Sequence, residues 1–340
     1  MARAVAAVLL AMPHLLVAQQ QPFVERVDVA RVLIDVRVFD DKGRPVAGLE
    51  PSDFVVEIDG MPVRVESAEW IGGVTSAEPT VPSPGDRAAN PRDGGRRGRL
   101  IVLLVQKSLE PVRIVGLMRM LQLVEPLFQQ LTPDDRVALL SFDSHLKIWT
   151  DFTGDLDHVR SLIREDVLLK HPSPVEAAAD ASIVSRFDQK SGKKVYSIEH
   201  ALRRIGEALE PLPGTKSIVV LGYGFGRFNP STGGVTLMDG YEEASAALQR
   251  ARAAVFTLNV TQANYNSLQA GLQAVAAETG GFYASTYEFP VLAMRRLVHA
   301  LEGHYVLFVD RPLPEARVHR IEVRLNGKKG SVFARATYVD

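Results

Sequence analysis

Residues 99–110 constrain this chain more than any other stretch. Six apolar residues, 100–105, follow Arg99 and stop abruptly at Gln106. A short unbroken apolar run is the pattern of a strand buried on both faces. A helical pattern over 112–131 follows it. Strand, polar turn and helix open a parallel α/β sheet, and ligands of such sheets sit outside the carboxyl ends of the strands, near the point where strand order reverses. The turn Gln106-Lys107-Ser108-Leu109-Glu110 is therefore the first place to look for chemistry.

The alternation continues to about residue 302. Residues 136–142 read as a second core strand, and 146–149 as an amphipathic strand reached through a tight turn, hence an antiparallel edge. A polar excursion over 168–194 interrupts the pattern. Helix 197–209, strand 216–221, helix 239–253, strand 254–260, helix 266–279, a short strand at 282–284 and helix 290–301 follow, with Gly280-Gly281 as a helix stop. The expected fold class is α/β, with a doubly wound, mostly parallel sheet.

The two ends differ from this block. Residues 24–72 carry strand patterns separated by turn signals at Asp40-Asp41-Lys42-Gly43 and Asp59-Gly60. Residues 303–340 return to the same pattern, with a turn at Asn326-Gly327. Fifty residues of β structure bury too little to stand alone. The expectation is one small β-sandwich-like domain built from 24–72 and 303–340, with the α/β domain, 99–302, inserted in it. Residues 73–98, rich in Gly, Pro, Ser and Arg, read as a flexible linker solvated by its arginines.

Residues 1–18 read as a secretory signal. Arg3 supplies the basic start, an apolar run with Pro13 and His14 inside it ends at Ala18, and three glutamines follow. Cleavage near Ala18 would leave a secreted or periplasmic protein with no later stretch of membrane-spanning length. The chain of 340 residues has no cysteine, so neither disulfides nor thiol chemistry is available. Its net charge of −1 gives no global basic field for nucleic acid.

Several segments share one likeness. They are Ile34-Asp-Val-Arg-Val-Phe-Asp-Asp-Lys-Gly-Arg-Pro-Val-Ala-Gly-Leu49 with Asp53-Phe54 and Asp59-Gly60, Asp135-Arg-Val-Ala-Leu-Leu-Ser-Phe142, Ala277-Glu-Thr-Gly-Gly-Phe282, Tyr305-Val-Leu-Phe308 and Arg320-Ile-Glu-Val323. The 99–302 block resembles a von Willebrand factor type A domain. The chain after residue 24 resembles exported bacterial proteins, acidobacterial ones especially, described as VWFA-related. The resemblance implies a Rossmann-type fold, a non-enzymatic interaction role, and a metal-ion-dependent adhesion site. That site draws on an Asp-x-Ser-x-Ser loop, a Thr and a later Asp. In this sequence Gln106 stands where the first Asp belongs, Ser108 is retained, and Glu110 replaces the last Ser. Tyr196 stands in place of the Thr and Tyr223 in place of the second Asp. Both expected carboxylates are missing and Lys107 adds positive charge, whereas Mg²⁺ wants a near-octahedral oxygen set.

The leading expectation is thus a degenerate, metal-free adhesion site without cofactor. It would meet a protein or cell-envelope partner through Gln106, Lys107, Ser108, Glu110, Tyr196, Tyr223 and Phe225, with Phe228 nearby. One alternative keeps a residual Mg²⁺ site on Ser108 and Glu110. Another, from a different class, is a hydrolase using Ser141, Asp143 and His145, although no Gly-x-Ser-x-Gly elbow occurs. Gly222-x-Gly224-x-Gly226 lacks the helix a nucleotide loop needs and reads as a turn. Asn259-Val260-Thr261 matches a glycosylation sequon at a strand end.

Overall fold

The computed structural model describes residues 31–72, 98–262, 268–310 and 317–339. The expected signal segment 1–18 lies outside the described residues, as does the linker apart from Gly98. Four strands come first: β1 (Arg31–Phe39), β2 (Phe54–Ile58), β3 (Met61–Val63) and β4 (Val65–Gly72). The middle of the chain holds β5 (Leu100–Gln106), α1 (Pro111–Gln122), α2 (Glu125–Gln129), β6 (Arg136–Phe142), β7 (Leu146–Thr153), α3 (Leu156–Ser161), α4 (Gln189–Gly192) and α5 (Ile198–Leu209). It continues with β8 (Lys216–Gly222), β9 (Arg227–Asn229), β10 (Gly234–Thr236), α6 (Tyr241–Arg250), β11 (Ala253–Asn259), α7 (Gln269–Glu278), β12 (Tyr283–Ser285) and α8 (Pro290–Glu302). The end adds β13 (Gly303–Asp310), β14 (Val318–Leu325), β15 (Ser331–Ala334) and β16 (Thr337–Val339).

The central sheet has the order β12-β11-β8-β5-β6-β7. All its pairings are parallel except β6 with β7, which meet through the turn at Asp143 to His145. Every residue of β5 is buried. Because side chains alternate along a strand, Ile101, Leu103 and Val105 enter one apolar core with α1, α2, α3 and α8. Leu100, Val102 and Leu104 enter the other with α5, α6 and α7. Strand order reverses beside β5: α1 leads outward to β6 on one side, and β8 pairs on the other. The carboxyl ends of β5 and β8 therefore face each other across the crevice of a doubly wound sheet.

One expected element divides. The pattern over 112–131 forms two helices, α1 and α2, because Pro126 has no N–H to donate and so opens a new helix at its first turn. The excursion over 168–194 also acquires a role. Its chain folds over β7, where Asp151 Oδ2 accepts from the Ala178 N–H at 3.0 Å and Oδ1 from the Ile183 N–H at 2.8 Å. Gln189 Nε2 donates to the Ile148 carbonyl at 3.3 Å. An edge strand covered in this way offers no free ladder for aggregation.

Strands from both chain ends share two four-stranded sheets, β15-β1-β13-β4 and β16-β14-β2-β3. The register sets Ile34 opposite Leu307 and Val36 opposite Ala334. Their inward residues form a third apolar core around Tyr305, whose hydroxyl accepts from the Leu49 N–H at 2.8 Å and donates to the Val46 carbonyl at 3.0 Å. Trp70 lies edge-on to Tyr305 with centroids 4.9 Å apart. The same indole leaves no space for a Cβ on Gly72 or Gly303, each of which would stand 2.4 Å from it.

A partly buried ionic group joins the first of these sheets to the amino end of the central sheet. Asp35 on β1 receives Arg252 Nη2 at 2.5 Å and Nε at 3.0 Å, and His304 Nε2 stands 3.4 Å away. Burial opposes the Asp35 charge, but the bonds from His304 and Arg252 outweigh it and hold the carboxyl below its ordinary range. Burial, reinforced by Arg37, keeps His304 below its usual 6.5. Both groups bind fewer protons folded than unfolded, so both stabilise the fold above their unfolded values and lose that contribution as pH falls. The melting temperature is expected to be level above pH 7 and to decline on acidification below about 6.5, where His304 titrates when unfolded. His304→Gln should flatten the first part of that decline, as melts at a series of pH values would measure.

Candidate functional site

The crevice between β5 and β8 is closed by one side chain. Gln106, the last residue of β5, is 3% exposed. Its Nε2 donates to the Gly224 carbonyl at 2.8 Å, and its Oε1 accepts from the N–H groups of Tyr223 at 3.0 Å and Gly224 at 3.2 Å. Gly222, which ends β8, sits so close that an added Cβ would lie 2.5 Å from Oε1. A neutral amide, which both donates and accepts, thus fastens the third loop to the first.

The rest of the first loop is also engaged. Ser108 Oγ accepts from the Glu110 N–H at 3.2 Å. Glu110 Oε2 lies 3.2 Å from Arg113 Nε, an ion pair without hydrogen-bond alignment. The Arg113 guanidinium covers the Tyr223 ring, 4.0 Å from its centroid. Burial raises the Tyr223 hydroxyl above its usual value of 10.0, so the phenol stays neutral. A divalent cation fits this set badly. The loop offers one carboxylate, already paired with a guanidinium, and one hydroxyl, where Mg²⁺ needs a near-octahedral set of oxygens. Ser197, beside the second loop position, is spent as the cap of α5 and accepts the His200 N–H at 3.1 Å.

Tyr196 projects outward, 74% exposed, and Leu109 is 94% exposed. Phe225 departs from the expectation. It is buried against Tyr241, with centroids 6.1 Å apart, and its ring stands where a Cβ on Gly271 would fall. It supports the crevice from beneath and offers no contact surface. Phe228, by contrast, is exposed on the β9–β10 hairpin that follows the crevice.

Ser141, Asp143 and His145 form no relay. Ser141 is fully buried and its Oγ accepts the Trp149 indole N–H at 2.8 Å. Asp143 Oδ2 binds Lys147 Nζ at 2.6 Å and lies 3.6 Å from Lys107 Nζ. His145 Nδ1 lies 3.0 Å from Ser144 Oγ rather than any Ser141 atom. The hydrolase alternative lacks its nucleophile, because a hydroxyl buried under an indole reaches no substrate. The sequon fails for a similar reason. Asn259 is buried, its Oδ1 accepting from the Thr261 N–H at 2.9 Å and its Nδ2 donating to the Tyr283 hydroxyl at 3.0 Å.

Two features of this end of the sheet have weak sequence signals. Arg113 becomes a neighbour of the crevice only through the placement of α1, whereas Leu109 lies within the first loop itself. Lys147 is drawn in by the β6–β7 turn, and its four-residue spacing from Asp143 could have suggested the pair.

No model of a known protein family matches the chain, and no curated protein matches it. Among solved structures, the chain is similar to a von Willebrand factor type A protein from Catenulispora acidiphila, with 11% identity over 86% of this chain and 75% of that one at a TM-score of 0.38. It is similar to the manganese-loaded TRAP protein of Plasmodium vivax, with 12% identity over 81% of this chain and 98% of that one at a TM-score of 0.39. The conserved hypothetical protein BatB from Bacteroides thetaiotaomicron gives 14% identity, 59% and 98% coverage, and a TM-score of 0.36. At such TM-scores these likenesses carry no argument, and the α/β fold rests on the strand order and register described above.

Gln106→Ala should leave the Gly224 carbonyl and two N–H groups of the third loop without partners. Unpaired buried polar groups cost about 1–3 kcal/mol each, less where water enters, so a loss of roughly 2–4 kcal/mol in a urea melt is expected.

Proposed function

We propose that this chain is an exported, non-enzymatic interaction module of the von Willebrand A type, with its α/β domain inserted in a β-sandwich domain made from both chain ends. It meets a protein or cell-envelope partner through the loops at the carboxyl end of the central sheet, and it does so without a metal bridge. One observation carries this reading. The Gln106 amide spends both its donor and its acceptor on the facing loop, so the crevice where such a sheet receives ligands is filled and rigid. What remains for recognition is the surface around it, where Leu109, Tyr196 and Phe228 are exposed. Exposed apolar and aromatic side chains on loops held by a rigid scaffold suit protein recognition.

Export rests on the basic start and apolar run of residues 1–18, with cleavage near Ala18 and a secreted or periplasmic destination. No described helix is long and apolar enough to cross a membrane. The absence of an enzymatic role rests on the engaged states of Ser141, Asp143 and His145.

Two measurements test the reading. Millimolar Mg²⁺, Mn²⁺ or Ca²⁺ should leave the melting temperature unchanged relative to chelator, because a ligand that binds only the folded state must raise it. A rise that disappears in Glu110→Ala would replace the reading with residual metal-bridged adhesion on Ser108 and Glu110. A photocrosslinking residue at Tyr196, introduced into cells that express the chain, should give a discrete adduct that persists in chelator. The same residue at Val318, exposed on β14, should give none. Equal labelling from both positions, or none from either, would remove the interaction surface from this end of the sheet.

A further inference from the structure

The excursion over 168–194 does not lie flat on β7. Between them, beside α3, is a cavity of about 580 Å³, within the size range of small-molecule sites. Its mouth is open, because His158, His171 and Glu176 line it and are exposed. Its wall also carries Asp151, only 4% exposed. Asp151 Oδ1 accepts from the N–H groups of Phe152 at 2.9 Å and Ile183 at 2.8 Å. Its Oδ2 accepts from the Ala178 N–H at 3.0 Å and the Ser182 hydroxyl at 2.5 Å. All four donors are neutral. They solvate the carboxylate without cancelling its charge, and among the described residues no lysine or arginine lines the cavity to do so.

Two more carboxylates share this cavity, Asp166 and Glu176. Asp166 ends the segment Leu162–Asp166, which continues α3 as a wider π-turn, the Val167 N–H donating to the Leu162 carbonyl at 2.8 Å. Such turns are frequent at functional sites. The nearest cation to Asp166 is Lys170, whose Nζ lies 2.6 Å from Oδ1 on a side chain 61% exposed. Exposed pairs of this kind are weak, so a ligand can displace it. Arg160 and Arg164 are turned to Glu125 on α2. Three carboxylates around one cavity without a lining cation attract positive charge. A bare metal ion is a poor fit, because no three His, Asp or Glu side chains among the described residues stand close enough to hold one. The acids suit a longer ligand, and Leu162 and Val175 give it an apolar wall.

We infer that this cavity binds a small organic cation, an amine or guanidinium carried on a short apolar chain. Its charged heads meet Asp166 and Glu176 in the field of Asp151, and its methylenes lie on Leu162 and Val175. His158 and His171 add acceptors at the mouth when neutral. The site is separate from the crevice between β5 and β8, and it stands or falls independently of the interaction reading above.

The experiment titrates the full chain with agmatine in a calorimeter. Saturable binding is expected, with a higher melting temperature in agmatine. Asp166→Asn should weaken binding by about fivefold or more, and the exposed Glu176→Gln by about two- to fivefold. Ala178→Leu should remove it, because the larger side chain fills the cavity while the N–H to Asp151 is kept. Glu69→Gln, on the distant β4, should leave it unchanged. The tripeptide acetyl-Gly-Arg-Gly-amide identifies the source: binding like that of agmatine marks a peptide side chain, and failure beside tight agmatine marks a free amine. No saturable binding of agmatine would overturn the inference, as would equal binding of succinate or equal weakening by Glu69→Gln. Displacement of agmatine by zinc chloride, lost in His158→Ala, would replace the organic cation with a metal ion.

Discussion

Burial of β5 on both faces is the constraint from which the other positions follow. A strand with no solvent face must have helices above and below, and parallel neighbours on both edges. Its alternating residues feed two separate cores, so each helix layer packs against three of the strand's six apolar side chains. With β5 central, its carboxyl end and that of β8 must form the crevice. Gln106 then lies at the bottom of that crevice because it is simply the next residue, the first polar one after the apolar run.

The crevice illustrates how the same topology can be used with different chemistry. A carboxylate at position 106 would bring charge that needs a cation or several N–H donors. An amide satisfies the facing backbone by itself and closes the gap as a neutral strut. The charge of the region is carried instead by Lys107, Lys147 and Arg113, each near a single carboxylate. Arg113 is further held by the Tyr223 ring. Polar groups at this end of the sheet are therefore mutually engaged at the floor, while Leu109, Tyr196 and Phe228 stand exposed at the rim.

The opposite end of the sheet solves another problem. Strands from 31–72 and 303–339 meet there; Arg37 and His304 are buried between them and the helices, and the partly buried Asp35 pairs with the more exposed Arg252. Arg37 donates through Nε to the Ala300 carbonyl at 3.1 Å and lies 5.1 Å from the Phe256 ring centroid. Leaving the buried Arg37 or His304 unpaired would be costly, whereas the Asp35–Arg252 pair, 37% exposed on the arginine side, is partly screened by solvent. These contacts fix how the end strands sit on the central sheet, far from the loops available for recognition.

The local pattern of the chain was sufficient for much of this. The run 100–105 marked the central strand, the alternation over 146–149 marked the antiparallel edge, and Gln106 and Tyr223 left those two crevice positions without a carboxylate, since residue type alone excludes one. Pairings across long sequence distances were not legible. Nothing local says that Phe225 turns inward onto Tyr241, or that Ser141 lies beneath Trp149. Nor does local sequence say that Asp143 is shared by two lysines, or that the 168–194 excursion covers β7. Periodicity reports which face of an element is apolar. Which side chain is occupied, and by what, depends on contacts between elements that only packing brings together.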